Sequence, residues 1–422
     1  MLNVVSLALA SSLTVAQAAP SQTQIQTQAP APASSQAAGP QPEDPIQTLV
    51  GRLDLERYKA TIKGLTQFGD RRQGTDRNRA AVDWIETQLK SYGCPTERIK
   101  YEYVTPQRGN TTGGQRGGRG GGGGRGASQG NKRPGQGGST IFGTAGRTGV
   151  NNDPNLQPDE KLRALNTQPA TDGPREEVYC TKVGSRTPGE MYIIGAHMDG
   201  YGWGEAANDD GSGTALVMEL ARIFSSPDVQ TERTIRFALW NNEETGLNGA
   251  RAYVDQRQAL QGKESPAGSG KYPEPKWLGM IQHDMMLFDH GMPGPDGKVS
   301  PEQRREADVN IEFQTNSKMA AESQRLAWTV KAANEKYATD YPAAVGPHMT
   351  NTDSTPFMDL VPAISLRENE RGMQTGAGWN PTWHQPIDVF ATFSDKDFRL
   401  GLNAAQTTLG AVAQLTGATL KK

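Results

Sequence analysis

Short apolar runs alternate with segments of helical periodicity from residue 191 onward, and this alternation restricts the possible folds more than any other feature. The apolar runs predict strands at Met191–Ala196, Thr234–Trp240, Trp277–Gln282 and Ala363–Leu366. The periodic segments predict helices at Ser212–Phe224, Gly246–Gln256, Lys318–Lys336 and Ser394–Leu415. Strands that alternate with helices of these lengths favour an α/β fold with a mixed, mostly parallel central sheet and helices on both faces.

The region before this alternation contains two helical patterns and one pair of strand-like segments. The helical patterns are found in 45–65 and 76–92, and the strand-like segments in 96–104 and 176–183. We expect the two strands to pair as a hairpin across a very long connection. The only two cysteines, Cys94 and Cys180, flank or lie in these strands, and they form either a disulfide or two buried thiols. Two cysteines exclude a disulfide-rich scaffold and a Cys-ligated zinc ribbon.

Three stretches have compositions that do not support a packed core. Residues 1–19 are apolar and end in small residues, which predicts a signal peptide and export, although no basic residue precedes the apolar run. Residues 20–44 are mainly Gln, Pro, Ala and Ser and are expected to form a disordered linker. A Gly/Arg-rich insertion at about 105–175 is also expected to be disordered, so a single domain would span 45–422 around it. No run of about 18 apolar residues is present, which argues against a membrane-spanning helix.

The Gly/Arg-rich insertion has a composition that resembles RNA-binding segments. Residues 105–150 contain 18 Gly and seven basic residues but no acidic residue. Spaced guanidinium groups attract phosphate, but no aromatic residue precedes Phe142 in this stretch to stack on bases, and the chain carries a net charge of −2. Nucleic-acid binding is therefore disfavoured, and a flexible loop or attachment to an anionic surface is preferred.

Histidine or carboxylate residues follow each of the central predicted strands. The five groups are His197-Met198-Asp199, Asn208-Asp209-Asp210-Gly211, Asn241-Asn242-Glu243-Glu244, His283-Asp284 and Trp383-His384-Gln385-Pro386. In a parallel sheet, functional residues gather in the loops beyond the carboxyl ends of the strands, so we expect these groups at one edge. The chain has only five histidines, and none precedes His197.

These residue types predict a metal centre. Imidazole and carboxylate without thiolate suit Zn²⁺, and two imidazoles with three carboxylates suit two ions about 3.5–4 Å apart that share one bridging carboxylate. A further carboxylate is needed to take a proton from the attacking water. Each residue also has a structural alternative, because Asp209 and Asp210 could cap a helix and Glu243 and Glu244 could open one.

Five motifs, in order, resemble the zinc aminopeptidase family of the M28 type over roughly residues 190–390. They are GAHMD, NDDGSG, RTIRFALWNNEETGLNGARAY, HDM and WHQPID. The resemblance implies two Zn²⁺ per chain, held by His197, Asp209, Glu244, Asp284 and His384. Asp209 would bridge the ions, Glu243 would be the general base, and Asp199 would orient His197. One ion would then contact His197, Asp209 and Asp284, and the other Asp209, Glu244 and His384.

Several residues near the motifs lie outside the proposed ligand set. Thr352-Asp353-Ser354 departs from the Ser-Asp-His that relatives often carry. Asp353 and Asp388 are candidate hydrogen-bond partners of the site, and Arg367 could meet an acidic group. The histidines expected outside the ligand set are His283, His290 and His348. The substrate pocket is expected from the loops 201–205 and 351–357.

The resulting hypothesis is an exopeptidase that cleaves peptide or protein substrates near a chain terminus, with an aminopeptidase preferred. A carboxypeptidase or dipeptidase of the same fold remains open. A glutaminyl-cyclase-like enzyme would use a single ion, and the retention of His197 and Asp284 argues against it. A non-enzymatic binder that uses the Gly/Arg tract is the third alternative. The sequence makes no prediction of oligomeric state.

Overall fold

The computed structural model describes residues 44–105, 151–288, 309–347, 352–368 and 382–421, with Thr140, Ile141, Thr144, Ala145 and Asn380. The predicted signal peptide and almost all of the predicted linker lie outside the described residues, as does most of the Gly/Arg tract. His290 and His348 also lie outside them.

The described residues form eight α-helices and twelve strands. The helices are α1 (Pro45–Val50), α2 (Leu55–Thr66), α3 (Asp76–Ser91), α4 (Glu160–Asn166), α5 (Gly211–Phe224), α6 (Asn248–Arg257), α7 (Ala320–Tyr337) and α8 (Asp395–Thr416). The strands are β1 (Thr96–Tyr103), β2 (Thr140–Ile141), β3 (Thr144–Ala145), β4 (Gly173–Lys182), β5 (Thr187–His197), β6 (Val229–Gln230), β7 (Arg233–Trp240), β8 (Lys276–His283), β9 (Val309–Phe313), β10 (Ala343–Pro347), β11 (Ala363–Glu368) and β12 (Thr419–Leu420). None of the described helices is long and apolar enough to cross a membrane.

Eight strands form the central sheet in the order β1-β4-β7-β5-β8-β11-β9-β10. The four middle strands β7, β5, β8 and β11 run parallel, whereas β4 pairs antiparallel with β7 and β9 pairs antiparallel with β11. The predicted α/β fold with a mixed, mostly parallel sheet is therefore confirmed. The parallel middle strands bring their carboxyl ends to one edge of the sheet.

Side chains of the central strands alternate between two apolar layers. On β7, Phe237 and Leu239 lie in the larger core, which also contains buried residues of α2, α3, α5 and α8. Ala238 and Trp240 lie in a smaller core with Tyr253 of α6. Helices thus cover both faces of the sheet, as the period of two along a strand requires.

One predicted helix is divided in the structure, and two strands are additional to those predicted. The helix predicted over 45–65 is two helices, because the chain turns at Gly51 and Asp54 caps α2 by accepting from Arg57 N. Strands β9 and β10 were not predicted. The run VNIEF of β9 alternates apolar and polar residues as a strand does, and the sequence reasoning missed it, whereas β10 contains Gly346 and Pro347, which disfavour a strand.

The predicted disorder of residues 151–175 is wrong. This stretch contains a short 3₁₀ helix at Pro154–Leu156, helix α4 and the start of β4. The sequence of this stretch shows no apolar periodicity, and several of the side chains that it buries are polar, such as Gln157 and Asn166. It therefore packs through hydrogen bonds rather than through a periodic apolar face.

The predicted hairpin of the two outer strands is present, and a disulfide connects its two elements. Thr96 of β1 pairs with Cys180 of β4 in an antiparallel register. Cys94 lies two residues before β1 and bonds to Cys180, at a sequence separation of 86 and with 5.6 Å between their Cα atoms. Both cysteines are buried in the larger core.

We expect the double substitution Cys94→Ala and Cys180→Ala to lower the free energy of unfolding by about 2–4 kcal/mol, because it releases a long loop in the unfolded chain. Urea unfolding of oxidised wild type and of the double variant checks this. The reduced wild type is the control and should resemble the variant. Equal midpoints for oxidised and reduced protein would contradict the expectation.

Candidate metal centre

The register of the central strands places the candidate residues side by side. His197 ends β5 opposite Trp240 of β7, so Asn241–Glu244 begin at the same level. His283 ends β8 opposite Ala196, and Asp284 follows it. The side chains of these candidates are nearly inaccessible, with His197 and Asp199 at 0% exposure. The structure therefore brings residues from several loops together in one buried cluster.

Asp209 lies between the two histidines. Its Oδ1 is 3.3 Å from Nε2 of His197, and its Oδ2 is 3.1 Å from Nε2 of His384. On one side, Asp284 Oδ1 is 3.9 Å from His197 Nε2. On the other side, Glu244 Oε2 is 2.7 Å from His384 Nε2. The two oxygens of one carboxylate thus face two separate groups of ligand atoms.

The ring of His197 is oriented by the backbone. Its Nδ1 is 3.0 Å from the carbonyl oxygen of Asp199, which leaves Nε2 directed at Asp209 and Asp284. The Asp199 carboxylate, which the sequence suggested for this contact, is 3.8 Å from Nδ1, and its Oδ1 accepts a hydrogen bond from Glu243 N. Asp199 therefore connects the ends of β5 and β7 through both its carbonyl and its carboxylate.

The two adjacent glutamates face different neighbours. Glu244 lies with His384, as described above, and it also groups with His197 and Asp209 within 4.8 Å. Glu243 has a carboxylate oxygen within 4.8 Å of ligand atoms of His197 and Asp284. The structure thus places the two carboxylates against different groups of ligand atoms, Glu243 beside His197 and Asp284 and Glu244 beside His384.

The cluster is strongly anionic, and its charges shift each pKa. Burial raises the pKa of Glu243 well above its usual value and the pKa of Glu244 to about 7. Burial alone would lower the pKa of His384, but the carboxylates of Glu244 and Asp209 outweigh it and raise it to about 10. Bound cations would relieve the repulsion among these carboxylates.

The residues present fit Zn²⁺. Two ligands bound tetrahedrally at about 2.0–2.2 Å lie about 3.3–3.5 Å apart, close to the 3.3 Å between His197 Nε2 and Asp209 Oδ1. His197 Nε2 and Glu244 Oε1 are buried atoms for which no hydrogen-bond partner exists among the described residues. Unpaired buried polar atoms are costly, and a metal ion would satisfy both.

Two loops that carry ligands, residues 198–210 and 382–390, contact each other through their backbones. Asp388 accepts hydrogen bonds from Asn208 N at 2.8 Å and from Asp209 N at 3.1 Å. Gly202, whose φ is +101°, passes so close to His384 that a Cβ would overlap its backbone. Asp388, a candidate hydrogen-bond partner from the sequence, thus holds the backbone of Asp209.

Other candidates lie around the cluster in supporting positions. Asp210 caps α5 by accepting from Gly213 N, as the sequence suggested. Arg367 Nη2 is 2.5 Å from Asp284 Oδ2, so the acidic group that it contacts belongs to this chain. Asp353 is buried and accepts from Gln282 at 3.2 Å. His283 donates from Nδ1 to the carbonyl oxygen of Gly195, and its Nε2 bonds to the hydroxyl of Thr408, so it lies outside the candidate ligand set.

Arg71 is an important residue that the sequence reasoning missed. Its guanidinium is fully buried and donates to the carbonyl oxygens of Met198 at 2.7 Å, Glu205 at 2.8 Å and Ala206 at 2.7 Å. These carbonyls belong to the loop between His197 and Asp209. Only the Gly-Asp-Arg-Arg-Gln-Gly sequence around it, with its two glycines, could have indicated a structured turn.

We expect Arg71→Met to lower the free energy of unfolding by about 3 kcal/mol or more, because three buried carbonyls lose their donor. Zinc affinity should fall as well, since the loop no longer holds Asp209. Chemical unfolding and zinc titration measure the two effects. Arg79→Met is the matched control, because Arg79 makes an exposed ion pair with Asp76 and should cost less than about 1 kcal/mol. Equal losses for both variants would contradict the assignment.

Comparisons with known proteins agree with this fold. The description "Peptidase family M28" matches residues 178–406, more than half of the 422-residue chain. The probable lipoprotein aminopeptidase LpqL of Mycobacterium tuberculosis is 42% identical over 82 residues, which are 19% of this chain and 16% of that protein. Carboxypeptidase Q of Xenopus laevis is 34% identical over 73 residues, which are 17% of this chain and 16% of that protein. The chain thus matches less than a fifth of the length of these relatives.

A solved structure resembles the fold over a much longer stretch. The aminopeptidase from Aneurinibacillus sp. strain AM-1 superimposes with a TM-score of 0.55 at 19% identity, covering 87% of this chain and 95% of that one. At this identity the likeness concerns the fold alone.

Proposed function

The chain belongs to peptidase family M28, and from this premise and the site geometry we propose that it is a two-zinc exopeptidase that acts as an aminopeptidase. The observation that carries the proposal is the position of Asp209, whose two oxygens lie 3.3 and 3.1 Å from the imidazoles of His197 and His384. A carboxylate that faces two imidazoles in this way can bridge two ions.

The residues divide the work of peptide hydrolysis. His197, Asp209 and Asp284 would hold one zinc ion, and Asp209, Glu244 and His384 the other. When bound, the ions polarise the scissile carbonyl and make the attacking water more acidic. Glu243 would accept the proton from that water as the C–O bond forms, and then pass it to the leaving amine as the C–N bond breaks.

The charge of the site supports an aminopeptidase. The free α-ammonium group of a substrate is attracted by buried carboxylates, and Glu243, Glu244 and Asp353 supply them. Two arginines close to the ligands are already engaged, since Arg367 contacts Asp284 and Arg71 donates to backbone carbonyls.

One observation favours a carboxypeptidase or dipeptidase as the second candidate. The guanidinium of Arg72 lies 4.9 Å from the centre of the Tyr201 ring, and that ring is 6.3 Å from the ring of His384. The Nε atom of Arg72 is buried and has no hydrogen-bond partner among the described residues. A guanidinium at this position could bind a substrate carboxylate.

Hydrolysis of aminoacyl chromogenic substrates by the purified protein tests the proposal. We expect cleavage of free aminoacyl substrates, no cleavage of N-acetylated ones, two zinc ions per chain, and loss of activity with a chelator that zinc restores. Cleavage of blocked peptides from their carboxyl ends would instead support the second candidate. One ion per chain, with cyclisation of amino-terminal glutamine, would indicate a glutaminyl-cyclase-like enzyme, and chelator-insensitive cleavage would exclude the metal mechanism.

A further inference from the structure

Residues 151–166, called here the tie segment, contact both loops that carry ligand residues. Gln157 is 2% exposed, and its side-chain amide donates to the carbonyl oxygen of Trp203 at 2.8 Å and to that of Pro386 at 2.9 Å. Trp203 belongs to the loop 198–210, and Pro386 lies two residues after His384. A single buried amide therefore spans the two loops.

Two further hydrogen bonds extend the contact. Asn151 N donates to the carbonyl oxygen of His384 itself at 3.0 Å. At the other end, the side chain of Asn166 donates to the carbonyl oxygen of Gly204 at 2.8 Å and accepts from Asp70 N at 3.1 Å. The tie segment lies before the residues that match the family, which begin at 178.

His384 needs such support, because its backbone has a φ of +55°. Non-glycine residues adopt this left-handed conformation only where the surrounding structure holds them in it. Its carbonyl oxygen accepts from Asn151, and the carbonyl oxygen of Pro386 accepts from Gln157, so the tie segment holds the backbone at His384 and two residues beyond it.

We propose that the tie segment positions His384 against Asp209, with Gln157 as the main positioning residue. It thereby sets the affinity of the chain for the metal ion held by Asp209, Glu244 and His384, called here the second ion. The inference rests on the proposed two-zinc function. It concerns only the site of Asp209, Glu244 and His384, because His197 and Asp284 have no hydrogen bond to the tie segment among the described residues.

Zinc titration of the metal-free protein, in competition with a chelating dye, tests the role of Gln157. In Gln157→Met the side chain keeps its length but loses both donated bonds. We expect the affinity for the second ion to fall by about tenfold or more, while that for the first changes less than about threefold. Gln168→Met is the matched control, because Gln168 lies just beyond α4 and bonds to Arg77 and Asp76 rather than to either loop, and it should bind both ions as the wild type does.

A second pair of variants isolates the bond to His384. Asn151→Pro removes the N–H that donates to the His384 carbonyl, whereas Asn151→Ala keeps it. We expect the affinity for the second ion to fall in the proline variant only. The unfolding temperatures of both metal-free variants should stay within a few degrees of that of the wild type.

The outcomes separate this inference from the proposed function. If the wild type binds two ions and Gln157→Met and Asn151→Pro bind both as tightly, the inference is overturned while the two-zinc function stands. An equal fall in the affinities for both ions, together with a large drop in unfolding temperature, would mean a merely structural role and would also overturn the inference. A wild type that binds fewer than two ions would overturn both proposals.

Discussion

Glu243→Gln is expected to lower kcat by about 10²- to 10⁴-fold while leaving the zinc content at the wild-type level. The amide has nearly the same shape as the carboxylate, but it cannot accept a proton from the attacking water. The proposed role rests on the position of Glu243, whose carboxylate lies beside His197 and Asp284 and whose backbone N–H donates to Asp199 at the end of β7. The measurements are steady-state kinetics on an aminoacyl substrate and metal analysis of the same sample.

Glu244→Gln is the matched control for this prediction. The carboxylate of Glu244 lies 2.7 Å from His384, so its substitution should lower the affinity for one zinc ion and reduce activity through metal loss. Excess zinc should then restore part of the activity of Glu244→Gln but none of that of Glu243→Gln. A Glu243→Gln protein that loses an ion would mean that Glu243 is a ligand, and one that retains full activity would mean that the base lies elsewhere.

The sequence was sufficient to predict the parallel middle strands of the central sheet and the group of residues at their edge. The middle strands β5, β7 and β8 each contain a mainly apolar run, and a histidine or carboxylate stands at the strand end or within four residues of it. His197, Glu243, Glu244 and Asp284 could therefore be assigned to one edge before any coordinates. His384 follows no strand directly. The sequence assigned it to the same edge as part of a late loop and through the motif resemblance, and in the structure Asp388 of that loop accepts hydrogen bonds from Asn208 N and Asp209 N.

Residues that support the site by polar contacts could not be predicted in this way. Arg71 and Arg72 are adjacent in a loop, and nothing local distinguishes the fully buried one from its half-buried neighbour. Gln157 lies in a stretch without apolar periodicity, which was interpreted as disordered. In both cases the burial depends on carbonyl groups far away in the sequence, at Met198 and Ala206 for Arg71 and at Trp203 and Pro386 for Gln157. Periodicity reports apolar faces, and it carries no information about such long-range hydrogen bonds.

Asp209→Asn should cause the largest loss of all, because Asp209 is the only candidate ligand among the described residues that lies within ion-pair distance of both imidazoles. An asparagine offers one oxygen and one N–H₂ group, so it cannot bridge two cations. We expect the affinity for both ions to fall, and activity to fall by more than about 10³-fold, since polarisation of the carbonyl and acidification of the water are lost together.

The comparison with Asp284→Asn makes this prediction specific to a bridging ligand. Asp284 lies 3.9 Å from His197 and contacts neither His384 nor Glu244 within ion-pair distance, so its substitution should weaken one ion and spare the other. Zinc titration and metal analysis of the two variants, with unfolding curves to establish that both are folded, give the result directly. If Asp209→Asn lost a single ion, as Asp284→Asn is expected to, the two sites would be independent and Asp209 would not connect them. A loss of both ions from Asp209→Asn alone follows only if one carboxylate holds the pair together, which is the arrangement that the positions of its two oxygens support.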